Sequence, residues 1–166
     1  MRVLNIDFKT PADMDIGHKS NHVQSGMIQS HQVLLFADCS YSELRVSPSD
    51  TQVGNTVNIS CAMLNIHQGQ VIENMSLTFG DPSQKFKFHF QKRKYLKVII
   101  DNSTAEFKTG VNFNRTVQYF SVAMIARKSD QRFTVTFKAL PTHSGTVKCS
   151  GDIYSVSFNF EMFERC

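Results

Sequence analysis

With 166 residues, 41% of them hydrophobic and 19% charged, the chain has the size and composition of one globular domain, which excludes a disordered, collagenous or linker-rich protein. A formal net charge of +4 is compatible with anionic partners without requiring them. No segment reaches the roughly 18–20 continuous apolar residues that a membrane-spanning helix needs.

The opening stretch, Met1-Arg2-Val3-Leu4-Asn5-Ile6-Asp7, lacks the apolar core of a secretory leader. It implies a cytoplasmic protein, or one exported without a signal peptide. Residues 1–31 are polar and without sustained periodicity, and predict a flexible N-terminal extension. They contain His18, His22 and His31, whose spacings match no familiar metal-ligand pattern. No metal site and no cofactor are expected.

From about residue 32 the hydrophobic period becomes two, the signature of strands, and a single domain over 32–166 is predicted. Val57, Ile59, Cys61 and Met63 share one face of 56–63. The segment 85–91 puts Phe86, Phe88 and Phe90 inward and Lys87, His89 and Gln91 outward, and 95–100 follows after the polar turn Lys92-Arg93-Lys94. Alternation resumes at 120–124 and 133–137, with a hairpin turn over 128–131. The last predicted strand covers 154–162, preceded by a bend or bulge at Gly151-Asp152. About ten short strands at this spacing mean an all-β, antiparallel, two-sheet β-sandwich. The 14 phenylalanines, in a chain without tryptophan, supply large apolar surfaces suited to such a core.

The four cysteines, Cys39, Cys61, Cys149 and Cys166, include no CxxC pair. Cys61 and Cys149, on strands separated by a long interval, also suit the inter-sheet cystine of an immunoglobulin-like sandwich. No Trp lies between them and no Asp-x-Gly-x-Tyr-x-Cys precedes Cys149, so reduced, buried thiols are expected in a cytosolic protein. The Asn-x-Ser/Thr sequons at Asn58, Asn74, Asn102 and Asn114 are expected to be chance occurrences in an Asn- and Ser-rich chain. No GxSxG, HExxH, P-loop or GxGxxG motif is present, so a binding module is expected rather than an enzyme, with no catalytic residues.

The chemistry concentrates in 85–114. His89 and Gln91 project from one sheet face, Arg93 continues the row, and Lys97, Asp101 and Asn102 follow. Such a row beside an aromatic side chain suits sugar recognition, where directed donors and acceptors hold hydroxyls and a ring packs on the pyranose. The plainer reading is a solvated face of an antiparallel sheet. Six cations, Lys85, Lys87, Lys92, Arg93, Lys94 and Lys97, also fall here and suit an anionic ligand, or protect exposed sheet edges.

Phe88-His89-Phe90-Gln91-Lys92-Arg93, Val98-Ile99-Ile100-Asp101-Asn102 and Phe107, taken together, resemble the galectin carbohydrate-recognition domain. That family carries His-Phe-Asn-Pro-Arg, a Val-x-Asn strand and Trp-Gly-x-Glu-x-Arg. Val53–Ile59 and Leu77–Gly80 upstream, and 120–122, 133–135 and 147–153 downstream, extend the similarity over roughly 50–163 in matching order. The resemblance implies a concanavalin-type jelly roll and a lectin that binds galactosides or other glycoconjugates. It further implies that His89, Gln91, Arg93 and Asn102 hold hydroxyls and that Phe107 stacks on the sugar. It is compatible with a homodimer and with a cytoplasmic or secreted protein. Gln91 stands for the family Asn and Lys92 for its Pro, and Gly110 and Asn112 occupy the positions of its Glu and Arg. These departures imply weakened or altered β-galactoside preference. A lectin-dead protein-interaction module, or an anionic-ligand binder acting through the 85–97 cluster, is the alternative.

Overall fold

The computed structural model describes residues 1–10, 39–48, 52–80, 85–92, 94–110 and 112–155. Within them the two-residue period produces eleven strands and one 3-10 turn over Pro141–His143. The strands are β1 (Arg2–Ile6), β2 (Tyr41–Ser47), β3 (Thr56–Leu64), β4 (Gln70–Phe79), β5 (Phe86–Gln91) and β6 (Tyr95–Ile100). They continue with β7 (Ser103–Lys108), β8 (Asn112–Val117), β9 (Phe120–Ala126), β10 (Gln131–Lys138) and β11 (Gly145–Ser155). All pairings between them are antiparallel. Two sheets result, one ordered β1-β11-β4-β5-β6-β7 and the other β2-β3-β10-β9-β8. This is the all-β sandwich that the alternation predicts.

The core is the apolar half of each alternation. Leu77, Phe79, Phe86, Phe88, Phe90, Leu96 and Val98 come from the six-stranded sheet. Val57, Ile59, Phe120, Val122, Phe133, Val135 and Phe137 meet them from the five-stranded one. In place of tryptophan, a cluster of phenylalanine rings fills the space between the sheets. Phe79 stacks on Phe86 at 5.2 Å and on Phe137 at 5.3 Å, and meets Phe120 edge-on at 6.0 Å. Such offset and edge-to-face pairs add to the stabilisation from burial alone.

His143 closes this cluster. It is a fully buried side chain on the 3-10 turn, with Phe137 and Phe86 at 4.6 and 4.9 Å. Its Nδ1 accepts a hydrogen bond from the Leu140 backbone N–H at 3.0 Å, and its Nε2 faces the Tyr119 hydroxyl at 3.4 Å.

Gly80 leads the chain out of β4 at φ 91°, and a Cβ there would stand 2.6 Å from a ring carbon of Phe86 and 3.2 Å from the Thr142 carbonyl oxygen. Left-handed backbone and ring overlap oppose any side chain together. Gly80→Ala is therefore expected to lower stability by about 2–3 kcal/mol, read as a shift in the urea midpoint at unchanged m-value. A neutral result would mean that the aromatic cluster yields more easily than its packing implies.

Three differences from the sequence reading have physical causes. The first residues of the expected 1–31 extension do not behave as one. Arg2–Ile6 pairs along β11 and buries Leu4 and Ile6, while Arg2 Nε donates to the Ser42 carbonyl of β2 at 2.6 Å. The strand was missed because the buried Arg2 and the apolar Val3 beside Leu4 break the alternation that marks the other strands. Residues 11–31, with His18, His22 and His31, lie outside the described residues, as does the 156–162 part of the last predicted strand.

The second difference concerns the thiols. Cys61 of β3 and Cys149 of β11 form a disulfide with a Cα–Cα distance of 5.6 Å, and Cys39 is disulfide-bonded as well. β3 and β11 are not paired neighbours: they lie in opposite sheets, so the bridge crosses the core. The strand order also differs from the seven-stranded immunoglobulin arrangement, in which a cystine likewise joins the sheets. Third, β11 runs through Gly151-Asp152 as one strand, with the register shift falling between Asp152 and Ile153. The predicted irregularity is thus a bulge within a strand, not a bend before one.

Candidate functional site

Outward side chains of the six-stranded sheet line up across strands because the pairings fix their register. One row reads Asp152, Asn74, Gln91, Tyr95, Lys108, and the next Ser150, Ser76, His89, Lys97, Glu106. A third row holds Lys148, Thr78, Lys87, Ile99 and Thr104. Between β5, β6 and β7 the first two rows enclose a cleft of about 210 Å³ lined by His89, Gln91, Tyr95, Leu96, Lys97 and Glu106. Leu96 forms its floor, since its side chain belongs to the core.

One polar group of the cleft, His89, is held in place by a neighbour. Ser76 Oγ lies 2.5 Å from His89 Nδ1 and fixes the imidazole against the sheet. Burial lowers the His89 pKa below its ordinary value. Lys87 and then Lys97 push the same way, against the opposing pull of Asp152. At neutral pH the ring is therefore an uncharged donor and acceptor. Asn74 Nδ2 reaches Asp152 Oδ2 at 3.4 Å, joining β4 to β11 on the same face. Tyr95 is half exposed and presents an aromatic surface at the end of the first row, next to Gln91.

The structure brings together only part of the expected site. His89 and Gln91 share the cleft with Lys97. Arg93 lies outside the described residues. Asn102 sits with Asp101 in the two-residue turn between β6 and β7, both with positive φ, at 71° and 48°. That places it five residues beyond Lys97 along the hairpin, on the order of 15 Å away at about 3.3 Å per residue. It is not part of the cleft.

Phe107 is not in the cleft either. It pairs with Leu96, packs against the core, and its ring lies beneath the Arg115 guanidinium at 4.3 Å. Phe107 therefore faces inward, because it directly follows the outward Glu106 on a strand whose side chains alternate. Gly110 and Asn112, counted on from Phe107, flank or begin a different strand, β8, of the other sheet.

Glu106, Tyr95 and Ser76 are the residues that sequence reasoning missed. Reading Asp101-Asn102 as a tight two-residue hairpin turn sets Glu106 opposite Lys97, so this signal was present in the chain. Ser76 reaches His89 only through the β4–β5 pairing and has no local signature.

The loop before Tyr95 also has its own geometry. Lys92 has φ 53° and donates its backbone N–H to the Glu73 carbonyl at 2.6 Å. Proline supplies neither that φ nor that donor, so the family Pro has no equivalent conformation here.

Among the described residues no group of three or more His, Cys, Asp or Glu side chains is placed to hold a metal ion, and no helix is long and apolar enough to cross a membrane. Comparison with known proteins finds no match among family models, curated proteins or solved structures.

Proposed function

We propose that this chain is a glycan-binding module rather than an enzyme, and that it holds saccharide in the β5–β6–β7 cleft with a galectin-like but altered galactoside preference. The observation that carries this reading is the exposed Tyr95 ring, in the row of Gln91, standing beside the adjacent polar row of His89, Lys97 and Glu106. A pyranose needs an apolar surface for its C–H face and directed partners for its hydroxyls, and the cleft offers both. His89 supplies an uncharged ring, Glu106 accepts, Lys97 donates, and the Gln91 amide does either. Collinear galectin-like motifs on a two-sheet sandwich support the family side of the reading. The inward Phe107 moves the stacking role to Tyr95, which is where the altered preference comes from.

The disulfides favour the exported side of the localisation expectation, since such bonds persist chiefly in oxidising compartments.

A glycan array read at about 0.15 M and about 0.5 M salt tests the assignment, because screening separates directed contacts from diffuse charge. Retention of galactoside-terminated glycans at the higher salt is the expected outcome. Tyr95→Ala is expected to weaken the retained binding by about 1 kcal/mol, roughly fivefold, without lowering the melting temperature. An array that stays silent at both salts would sink the lectin and leave a protein-interaction module. Turnover of any arrayed glycan would restore the enzyme reading.

A further inference from the structure

Lysines often protect exposed strand edges, and that role accounts for Lys108 on the edge strand β7. It does not account for Lys87 on β5, Lys97 on β6 or Lys148 on β11. These strands are paired on both sides and have no free edge to protect. Their lysines nevertheless share the outer face with the cleft. Lys97 lies directly opposite His89, Lys87 is two residues from His89 on the same strand, and Lys148 lies in the row of Lys87 with only Thr78 between them.

Neighbouring strands stand about 4.8 Å apart, so Lys148 and Lys87 are within roughly 10 Å of each other, and Lys97 is the diagonal neighbour of Lys87 at about 7–8 Å. Like charges at these separations repel and cost the folded state. Among the described residues none of the three forms an ion pair, not even Lys97 with the opposing Glu106. Burial is the main cause of the lowered His89 pKa, with Lys87 and Lys97 adding to it against Asp152. A cluster of lysines without ion pairs on central strands, next to a polar cleft, is placed to meet an anion.

We infer that the saccharide bound in this cleft carries an anionic substituent, a sulfate or a carboxylate, which Lys87, Lys97 and Lys148 neutralise. The inference rests on the glycan-binding reading above. A nucleic acid or a phosphorylated surface fits less well. Glu106 and Asp152 share the face and would repel a continuous phosphate chain, whereas both accept hydrogen bonds from sugar hydroxyls. The cleft, at about 210 Å³, also suits one small group better than a polymer track.

The test is titration calorimetry of the full chain with N-acetyllactosamine and with its 3′-sulfated and 3′-sialylated forms. At least one anionic form is expected to bind ten times more tightly than the neutral parent, and the better of the two identifies sulfate or carboxylate as the substituent. The double variant Lys87→Gln/Lys148→Gln, at two lysines outside the cleft lining, is expected to bring the anionic ligand to within threefold of the neutral one, with neutral binding unchanged and the melting temperature not lowered. Lys138→Gln, on the other sheet, is expected to leave the preference intact. Equal affinity for neutral and anionic forms overturns this inference and leaves the glycan reading standing. Absence of binding to all three overturns both. Tighter capture of a phosphodiester oligonucleotide, or an equal loss in Lys138→Gln, also overturns it, the first as the wrong ligand and the second as diffuse charge.

Discussion

Acidification from pH 7 to pH 4 is expected to destabilise the fold by about 3 kcal/mol through His143 alone. Burial among Phe79, Phe86, Phe120 and Phe137 lowers its pKa from the ordinary 6.5 to about 4, only partly opposed by Asp101. The native pKa lies below the unfolded one, so between pH 4 and 6.5 the unfolded chain binds more protons. Stability from this site is therefore complete above pH 6.5 and falls as the pH drops, by about 2 kcal/mol at pH 5 and about 3 at pH 4. The structural cause is specific. Nδ1 accepts the Leu140 N–H, so protonating it removes that acceptor and leaves a charge in an aromatic pocket. Urea unfolding across this range in the native chain and in His143→Asn checks the claim. The variant starts less stable, but its dependence on pH should flatten. If it keeps the native slope between pH 6.5 and 4, the acid sensitivity lies elsewhere.

Removing the inter-sheet bridge should have an even larger effect. Cys61 and Cys149 are 88 residues apart in sequence. A cross-link closing a loop of that length restricts the unfolded chain by roughly 4–5 kcal/mol in the chain-entropy account. The double variant Cys61→Ala/Cys149→Ala is expected to lose about that much, seen as a melting temperature lower by about 10–15 °C at this chain length. Both sulfurs are fully buried between the sheets. A thiol reductant should therefore reach the bond only in opened molecules, and native-state reduction should track unfolding. A melting temperature within about 3 °C of the native value would show that the unfolded chain gains little freedom from the loss.

Where alternation was strong, the sequence was a reliable guide. Phe86, Phe88 and Phe90 point inward and Lys87, His89 and Gln91 outward as their spacing requires, because a strand with one buried face admits a single register. The hairpin before β10 and the irregularity at Gly151-Asp152 were readable for a similar reason, since turn and bulge chemistry is local. Long-range partners were harder to read. Cys61 and Cys149 could be paired only through an immunoglobulin-like alternative, nothing near Ser76 announces His89, and the cage around His143 draws its rings from two consecutive strand pairs, β4–β5 and β9–β10, far apart in the chain. The misplacement of Phe107 has a different origin. Its position was inferred by matching an aromatic residue to a motif, whereas parity along β7 assigns it to the opposite face from Glu106. Asn102 was read as a hydroxyl-binding residue, but with Asp101 it forms the left-handed turn that a two-residue hairpin demands.

The strand order also governs how the domain can be made. In the six-stranded sheet, β11 is seated between β1 and β4, and its partner β1 is the first strand of the chain. A ribosome exposes β1 long before the strand that must pair with it exists. The consecutive run β4-β5-β6-β7 can zip up as hairpins, yet β4 keeps one side unpaired until β11 emerges. β1 likewise waits unpaired until β11 has been made. Closure is thus a late, non-local event, of the kind that folds slowly and leaves sticky strand edges exposed meanwhile. A chain cut before residue 145 would have no means of joining β1 to the sheet. The sheet is complete only once β11 has joined β1 to β4.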